Sequence, residues 1–569
     1  MTLTPRLALA IFVLLGILHL WPLSSAPWRL SLNYNADAEY NAWAIAWIVR
    51  TLGSNPAGLF DANIFYPEQG TLAYSHPLVA PALVAAPVLV LGGSPVLAFN
   101  VSLFAGLVLT AWSMWLLAWK WTGSPRAALV AGALAAFHVQ LLTRLPHLDA
   151  AHAWGLPLTM YLADAMMERP TRRTGLLLAA VVALTAATSL YGLALSAILL
   201  GITMLVRGWP TRATLRTAAA AGLGIAVASP LLLPYVRMAR AGVRRPLAMV
   251  ADFSADITGY LSSTSVLHAG WTAPFYRDDV NVLFAGVSAL GLATIGIVAG
   301  RATSEARRRL AVIVAVAAAG VLLSLGPATP VYRTLYEWVT PLQGLRITAR
   351  FGMLFLIAVA AGAAFGVAWL ERRVRSPRWA AALAALALTA VTVEAWQGPV
   401  RVREFSGVPP IYGLLADIEG PVRLVETPFW PPEAVHFNGE YQLGSTRHWQ
   451  PLMNGTSGLT PESYRRRAES FWYFPEEWAI DAMHQEGATH VMVHLERFEH
   501  EAPHVAAVLA GRPDIWLIAS DSRGHRLYEF RRRDEGAVSA RGEDADDAAR
   551  VLASEPIARA SERATDAVD

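Results

Sequence analysis

Two carboxylates, Asp37 and Glu39, stand in the run Asn35-Ala36-Asp37-Ala38-Glu39-Tyr40, directly after the first apolar segment of the chain. Charge beside hydrocarbon is costly and is retained mainly where it works. A carboxylate in that place can act as general base towards a hydroxyl or amine, or can ligate a divalent cation. On extended backbone the two side chains share one side; on a helix they diverge by about 200°. A solvated loop, or the N-cap of a following helix, accounts for the same residues without chemistry.

A second constellation is Gly344-Leu345-Arg346-Ile347-Thr348-Ala349-Arg350-Phe351, where Arg346 and Arg350 lie four apart and are expected on one helix face. They enter an apolar run from the side on which arginines are disfavoured. A bound anion such as a lipid phosphate explains that position, and so does snorkelling to ordinary headgroups. A third is Arg144-Leu145-Pro146-His147-Leu148-Asp149, followed by His152 and Trp154. Arg, His and Asp at a helix junction suit phosphate or sugar recognition, or form a plain polar connector. Metal binding by His147 and His152 lacks a third ligand in the sequence. His76, after Tyr74-Ser75, can reach the same region or sit at the interface. Asp252, Asp256, Asp278 and Asp279 read as solvated.

The elements that position these groups are set by composition. Charged residues make up 16% of the 569, against roughly 25% in globular domains, and mean hydropathy is +0.38. Apolar runs of about 20 residues, separated by Arg- or Pro-rich connectors, predict a polytopic α-helical membrane protein of about 11–12 spans. The runs are 7–25 (read as a retained span), 77–93, 96–119, 127–143, 150–167, 174–189, 191–206, 215–236, 281–299, 310–326, 348–370 and 379–397. Basic connectors at 169–173, 207–216, 301–309 and 372–378 are expected inside, which places 144–149, 237–280, 327–347 and everything after 398 outside. Lys120 and Arg126 also read as inside, so 77–93, with Pro77, Pro81 and Pro87, is expected to be re-entrant or only partly crossing.

Residues 26–76 form a first outer loop, with an interfacial helix at Ala42–Leu52 anchored by Trp43 and Trp47, and turn or extended backbone from Pro67 to Tyr74. Residues 399–532 predict a small outer α/β domain. Its strands are Val422–Glu426, His490–His494, and Trp516–Ile518 paired with Arg526–Phe530; its helices are Glu462–Tyr473 and Pro475–Glu486. Within it Ser445-Thr446-Arg447-His448-Trp449 and Asn454-Gly455-Thr456-Ser457-Gly458 suit a sugar-facing surface, and turn chemistry explains the latter equally well. Residues 533–569 are expected to be disordered. The chain has no cysteine, which excludes disulfides, thiolate metal sites and cysteine nucleophiles. The net charge of +3 sits mostly on arginines in short loops and sets orientation; nucleic acid is not an expected partner. Phosphate-loop, Walker, nucleophile-elbow and zincin motifs are absent from the sequence.

The order of these motifs resembles the GT-C superfamily of membrane glycosyltransferases. The matching residues are Asp37, Ala38, Asn41 and Trp43; Phe65-Tyr66-Pro67; Leu72-Ala73-Tyr74-Ser75; Leu145-Pro146-His147-Leu148; Leu345-Arg346 with Ala349-Arg350-Phe351; and Ser445-Thr446 with His448-Trp449, Pro451-Leu452 and Asn454-Gly455. Over residues 1–530 the chain is similar to the bacterial branch that stands beside the lipid A aminoarabinose and protein O-mannosyl transferases. That resemblance implies an inverting transfer of a sugar from a polyprenyl-phosphate carrier to a glycan, lipid or protein acceptor. The reaction would take place at the outer face of the bacterial inner (plasma) membrane. It makes Asp37 the base with Glu39 as helper, and assigns the donor phosphate to Arg144, His147, Arg346 and Arg350. Tyr74, His76 and Trp43 would line the site. Where that pattern has an acid after Ser75 this chain has His76, so no metal or other cofactor is expected to be required, although a divalent cation is compatible with the carboxylates. A transporter or flippase for a lipid-linked glycan is the alternative, given His138 and the Ser189-Leu190-Tyr191-Gly192 break. A non-catalytic envelope assembly protein is the third.

Overall fold

The computed structural model describes residues 3–208 and 210–531; the tail from 533 lies outside them. The chain forms two compact units, one built from Met1–Pro56 with His76–Phe405, the other from Ala57–Ser75 with Ser406–Asp569.

The first unit is helical, and each of the twelve apolar runs carries a helix. Their starts are written in the sequence. Thr4, Ser94, Ser124, Thr171, Thr211 and Thr303 each accept a backbone N–H of the first turn, and Pro follows three of them. Among the described residues six helices are long and apolar enough to cross a membrane: Pro95–Thr122, Pro125–Thr143, Leu190–Arg207, Arg212–Arg240, Thr348–Arg373 and Pro377–Ala395. These are features of a multi-pass membrane protein. Val79–Val90, with 12 residues, reaches only about 18 Å and is too short to cross. The second of the six is broken at His138, whose Nδ1 accepts the N–H of Leu141 and restarts the helix.

The polar groups sort to the two ends of these helices. At one end Lys120 pairs with Asp164 (2.6 Å) and Glu168 (2.7 Å), Arg309 with Glu168 (2.6 Å), and Arg207 with Glu305. Tyr191 stands at the opposite end of Arg207's own helix, 16 residues earlier and so about 24 Å away. Short β1 (Leu30–Ser31) and β2 (Arg403–Glu404) pair antiparallel and join the two sequence ends of the unit.

The first outer loop departs from expectation. A helix starts at Ala36, not Ala42, because the Asn35 side chain accepts the N–H of Asp37 at 2.8 Å and caps it. Trp43 is fully buried beside Tyr40 and does not anchor an interface. Thr71–Tyr74 is a 3₁₀ turn entered through Gly70 in the left-handed region, not extended backbone.

In the second unit a four-stranded sheet runs in the order β3 (Leu424–Thr427), β4 (His490–His494), β6 (His525–Phe530), β5 (Ile515–Ser520). β3 and β4 are parallel; the other pairs are antiparallel. Glu462–Phe471, Glu477–Gln485 and Ala502–Ala510 are its main helices. Residues 57–75 thread into this unit: Phe65 and Tyr66 donate to the carbonyls of Asn454 and Leu452, each at 3.0 Å. The runs expected to face sugar are largely internal, with Arg447 exposed. Ser445, His448 and Asn454 are buried, and Asn454 brackets Glu426, accepting its N–H at 2.7 Å and donating to its carbonyl at 2.9 Å.

Glycines let the helix that follows Arg350 pack closely. A Cβ on Gly366 would overlap the Leu292 carbonyl oxygen, and one on Gly296 would overlap that of Gly362, so Val287–Ala299 and Gly352–Arg373 approach through small residues. Gly291 faces open space. Gly366→Ala is expected to cost about 1–3 kcal/mol by overpacking, read as a lower thermal midpoint in detergent, while Gly291→Ala leaves the midpoint unchanged.

Candidate active site

Asp37 sits in the first turn of Ala36–Ser54, where the N-terminal end of the helix favours a negative charge. One turn on, Asn41 donates from Nδ2 to the Asp37 carbonyl (2.7 Å) and to the Pro146 carbonyl (2.9 Å). That link lays the 144–149 connector against the helix start and brings His147 Nε2 to 3.3 Å from Asp37 Oδ2. Arg144 donates to the same His147 nitrogen at 2.8 Å, which places the ring proton on Nδ1.

A second carboxylate organises the rest. Asp149 Oδ2 accepts Arg350 Nη1 at 2.8 Å and the Ser189 hydroxyl at 3.1 Å, and lies 3.4 Å from His76 Nε2. The Arg350 guanidinium lies 4.7 Å from the centre of the Tyr191 ring. The Tyr191 hydroxyl accepts the N–H of Ile347 at 2.5 Å. That bond takes the place of a helical one: Arg346 lies on non-helical backbone and Arg350 in a 3₁₀ turn, Thr348–Phe351. The two arginines therefore do not share an α-helical face. Arg346 instead stacks on Phe253 at 4.6 Å.

Burial sets the electrostatics. Burial raises the pKa of Asp37 from its ordinary value, and Arg144 and Arg350 oppose that rise; its side chain still keeps 54% of its exposure. Burial alone would also raise Asp149, but Arg350, His76, His147 and Ser189 more than offset it and hold the group ionised well below the usual range. Burial, aided by Arg350 and Arg346, drives His76 down to about 4. It drives His147 well below its ordinary value, with Arg144 and Arg350 adding to the effect. Both histidines are thus neutral near pH 7. Arg144, lowered to about 10 by burial and Arg350, keeps its charge. Three arginines face two carboxylates, so the cluster carries a positive surplus suited to an anion.

A cavity opens beside this cluster. Arg144, His147, Asp149, Ser189 and Arg350 supply its polar wall; Leu141, Leu156, Leu195 and Met353 supply an apolar one. Asp37, 3.3 Å from His147, is not part of the wall.

The structure thus gathers Asp37, Arg144, His147, Arg350 and His76, with Arg346 adjoining. Glu39 leaves the helix about 200° round from Asp37, on another side. Trp43 belongs to the core, and Tyr74 to the second unit, where its ring is 6.2 Å from Phe65. Asp149, Ser189, Tyr191 and Asn41 enter the cluster without having been singled out as site residues. Asp149 and Tyr191 carried a signal in the polar connector and the helix break. His152 is a core group: Nε2 meets Ser102 and Nδ1 accepts Trp154, so it has no nitrogen free for a metal.

The same architecture occurs in known enzymes. The chain superposes over 94% of its length on arabinofuranosyltransferase AftD from Mycobacteria, with a TM-score of 0.61 and 16% identity. It spans 42% of that protein's length. Two more distant matches are the oligosaccharyltransferase AglB of Archaeoglobus fulgidus, in complex with an inhibitory peptide and a dolichol-phosphate, and ArnT of Cupriavidus metallidurans. AglB gives a TM-score of 0.49 at 13% identity, covering 92% of this chain and 74% of that one; ArnT gives 0.38 at 14%, covering 92% and 97%. These structural neighbours are GT-C enzymes. Neither a family model nor a curated protein matches the sequence.

Asp149→Asn is expected to cost about 3–5 kcal/mol, because it leaves Arg350 buried and uncompensated. In a double-mutant cycle by thermal unfolding, Arg350→Gln should recover part of that loss in the Asp149→Asn background.

Proposed function

We propose that this chain is an inverting glycosyltransferase that takes a sugar from a polyprenyl-phosphate carrier and passes it to an acceptor at the outer membrane face. The observation that carries the reading is the placement of Asp37 3.3 Å from His147, which lines a cationic, half-apolar cavity. The positive surplus suits the phosphate, and the apolar wall suits the first carbons of a lipid chain. The AftD-like fold supports glycosyl transfer as the chemistry. The site lies at the helix ends away from the Lys120–Asp164–Arg309 network, which fits an outer-face reaction and a multi-pass protein whose basic connectors lie inside.

In this reading the acceptor oxygen attacks the anomeric carbon while the bond from that carbon to the phosphate oxygen breaks, inverting the centre. Asp37 takes the acceptor proton, and its raised pKa makes it a better base than an ordinary carboxylate. The bonding electron pair leaves on the phosphate. Arg144, whose contact is a neutral histidine, and Arg346, stacked on a ring, have charge to spare for it. Arg350 is committed to Asp149 and acts by holding that wall in place. Glu39, Trp43 and Tyr74 have no part in this scheme.

The test is transfer from radiolabelled polyprenyl-phosphate sugars by the purified chain, comparing wild type with Asp37→Asn. A loss of at least about 10²-fold is expected, and equal activity would remove Asp37 as base. Movement of an intact lipid-linked glycan across vesicles, with no bond cleaved, would favour a flippase. The rate should fall as pH drops through the raised Asp37 pKa, above the ordinary value of about 4. Arg144→Ala should lower turnover while Arg144→Lys retains part of it.

A further inference from the structure

The second unit holds a cluster that the transfer reaction does not use. His494 ends β4 and His525 begins β6, and the two are direct cross-strand partners, so their rings emerge on one face with centroids 4.9 Å apart. The chain turns sharply after His494 through the 3₁₀ turn Leu495–Arg497, which returns Glu496 to the same point. One oxygen, Glu496 Oε1, lies 3.5 Å from His494 Nδ1 and 3.5 Å from His525 Nε2. All three ligand atoms fall within 4.8 Å of one another.

Three features distinguish this from a chance gathering of polar groups. His494 is 1% exposed, and its Nδ1, without a partner in hydrogen-bond geometry, faces Glu496 Oε1 in the cluster. Each histidine has its other nitrogen held by a carboxylate: His494 Nε2 by Glu426 Oε2 at 2.7 Å, and His525 Nδ1 by Asp521 Oδ2 at 2.7 Å. Carboxylates behind ligating imidazoles fix the tautomer that turns a lone pair towards a metal. Those partners are themselves held. Glu426 accepts the Tyr412 hydroxyl at 2.6 Å, and Asp521 accepts the N–H groups of Arg523 and His525 in the hairpin turn. Glu496 Oε1, 3.5 Å from each imidazole nitrogen, also fits, because ligands about 2.0–2.1 Å from a tetrahedral ion lie about 3.3–3.4 Å apart.

We propose that His494, Glu496 and His525 form a binding site for a divalent cation of the zinc class. Two imidazoles and one carboxylate suit a borderline ion and not calcium or magnesium, which take oxygen ligands. Three protein ligands leave one tetrahedral position for water or an incoming donor atom. Glu496, 41% exposed, lies on the solvent side and gives the ion a way in. Bound there, the cation staples the end of β4 to the β5–β6 hairpin.

The test uses the full chain in detergent without an affinity tag, stripped with a chelator and dialysed against zinc, then measured by metal analysis. One zinc per chain is expected. It should be lost in Glu496→Gln, which removes a half-exposed ligand without touching the sheet, and in His525→Gln. Asp521→Asn should weaken binding about 10–100-fold. Cobalt should give the intense visible bands of tetrahedral coordination in wild type and not in Glu496→Gln. If wild type holds no zinc, binds only magnesium or calcium, or keeps its zinc in a folded Glu496→Gln variant, the assignment is overturned. Should His525→Gln fail to fold, the Glu496→Gln and cobalt results decide.

Discussion

The candidate site depends on one ion pair, Arg350 with Asp149, at 2.8 Å between side chains that are 12% and 8% exposed. Taking two charges out of water is repaid only when geometry is good and the remaining polar atoms are satisfied. Here Ser189 adds a bond to the carboxylate, His76 lies against both partners, and Tyr191 covers the guanidinium while fixing the backbone at Ile347. The pair thus draws in residues from four stretches of the first unit. Through the short connector that carries Asp149 it also fixes where Arg144 and His147 stand. Asn41 completes the chain of positions by tying that connector to the helix bearing Asp37.

Neutralising one arginine in this way has an electrostatic effect on the others. If every arginine had a carboxylate, the cavity wall would offer an anion nothing. If none had, their mutual repulsion would destabilise the fold. With Arg350 committed and the histidines kept uncharged by burial, the surplus falls on Arg144 in the wall and on Arg346 outside it. Such preorganised charge needs no rearrangement when a negative group arrives.

Much of the architecture was legible because membrane helices need long apolar runs and announce their starts with Ser, Thr and Pro. The strands of the second unit showed by their apolar content. The cluster was less legible for identifiable reasons. A loop acid looks the same whether solvated or buried, and Asp149 becomes central only through an arginine 201 residues away. The phase of the Asp37 helix hung on reading Asn35 as its cap; a start at Ala36 separates Glu39 from Asp37. The spacing of Arg346 and Arg350 suggested a shared face, and a tyrosine hydroxyl from another helix prevented it. His448 and Asn454 read as surface chemistry because hydrogen-bonding side chains serve buried backbone equally well.

The threading of residues 57–75 into the second unit bears on how the chain is made. Asn63 bonds across 387 residues to Gln450, and Ser463 reaches back to Glu68 across 395. Loop closure costs little more for a long loop than for a moderate one, about 0.6 kcal/mol per doubling, so the native state tolerates the separation. Synthesis does not escape it. The early segment emerges hundreds of residues before the strands and helices that receive it, and every helix from Val79–Val90 to Pro377–Ala395 is made in the interval. The second unit therefore assembles last, around a piece of chain that has waited for it since the helix Ala36–Ser54 was made.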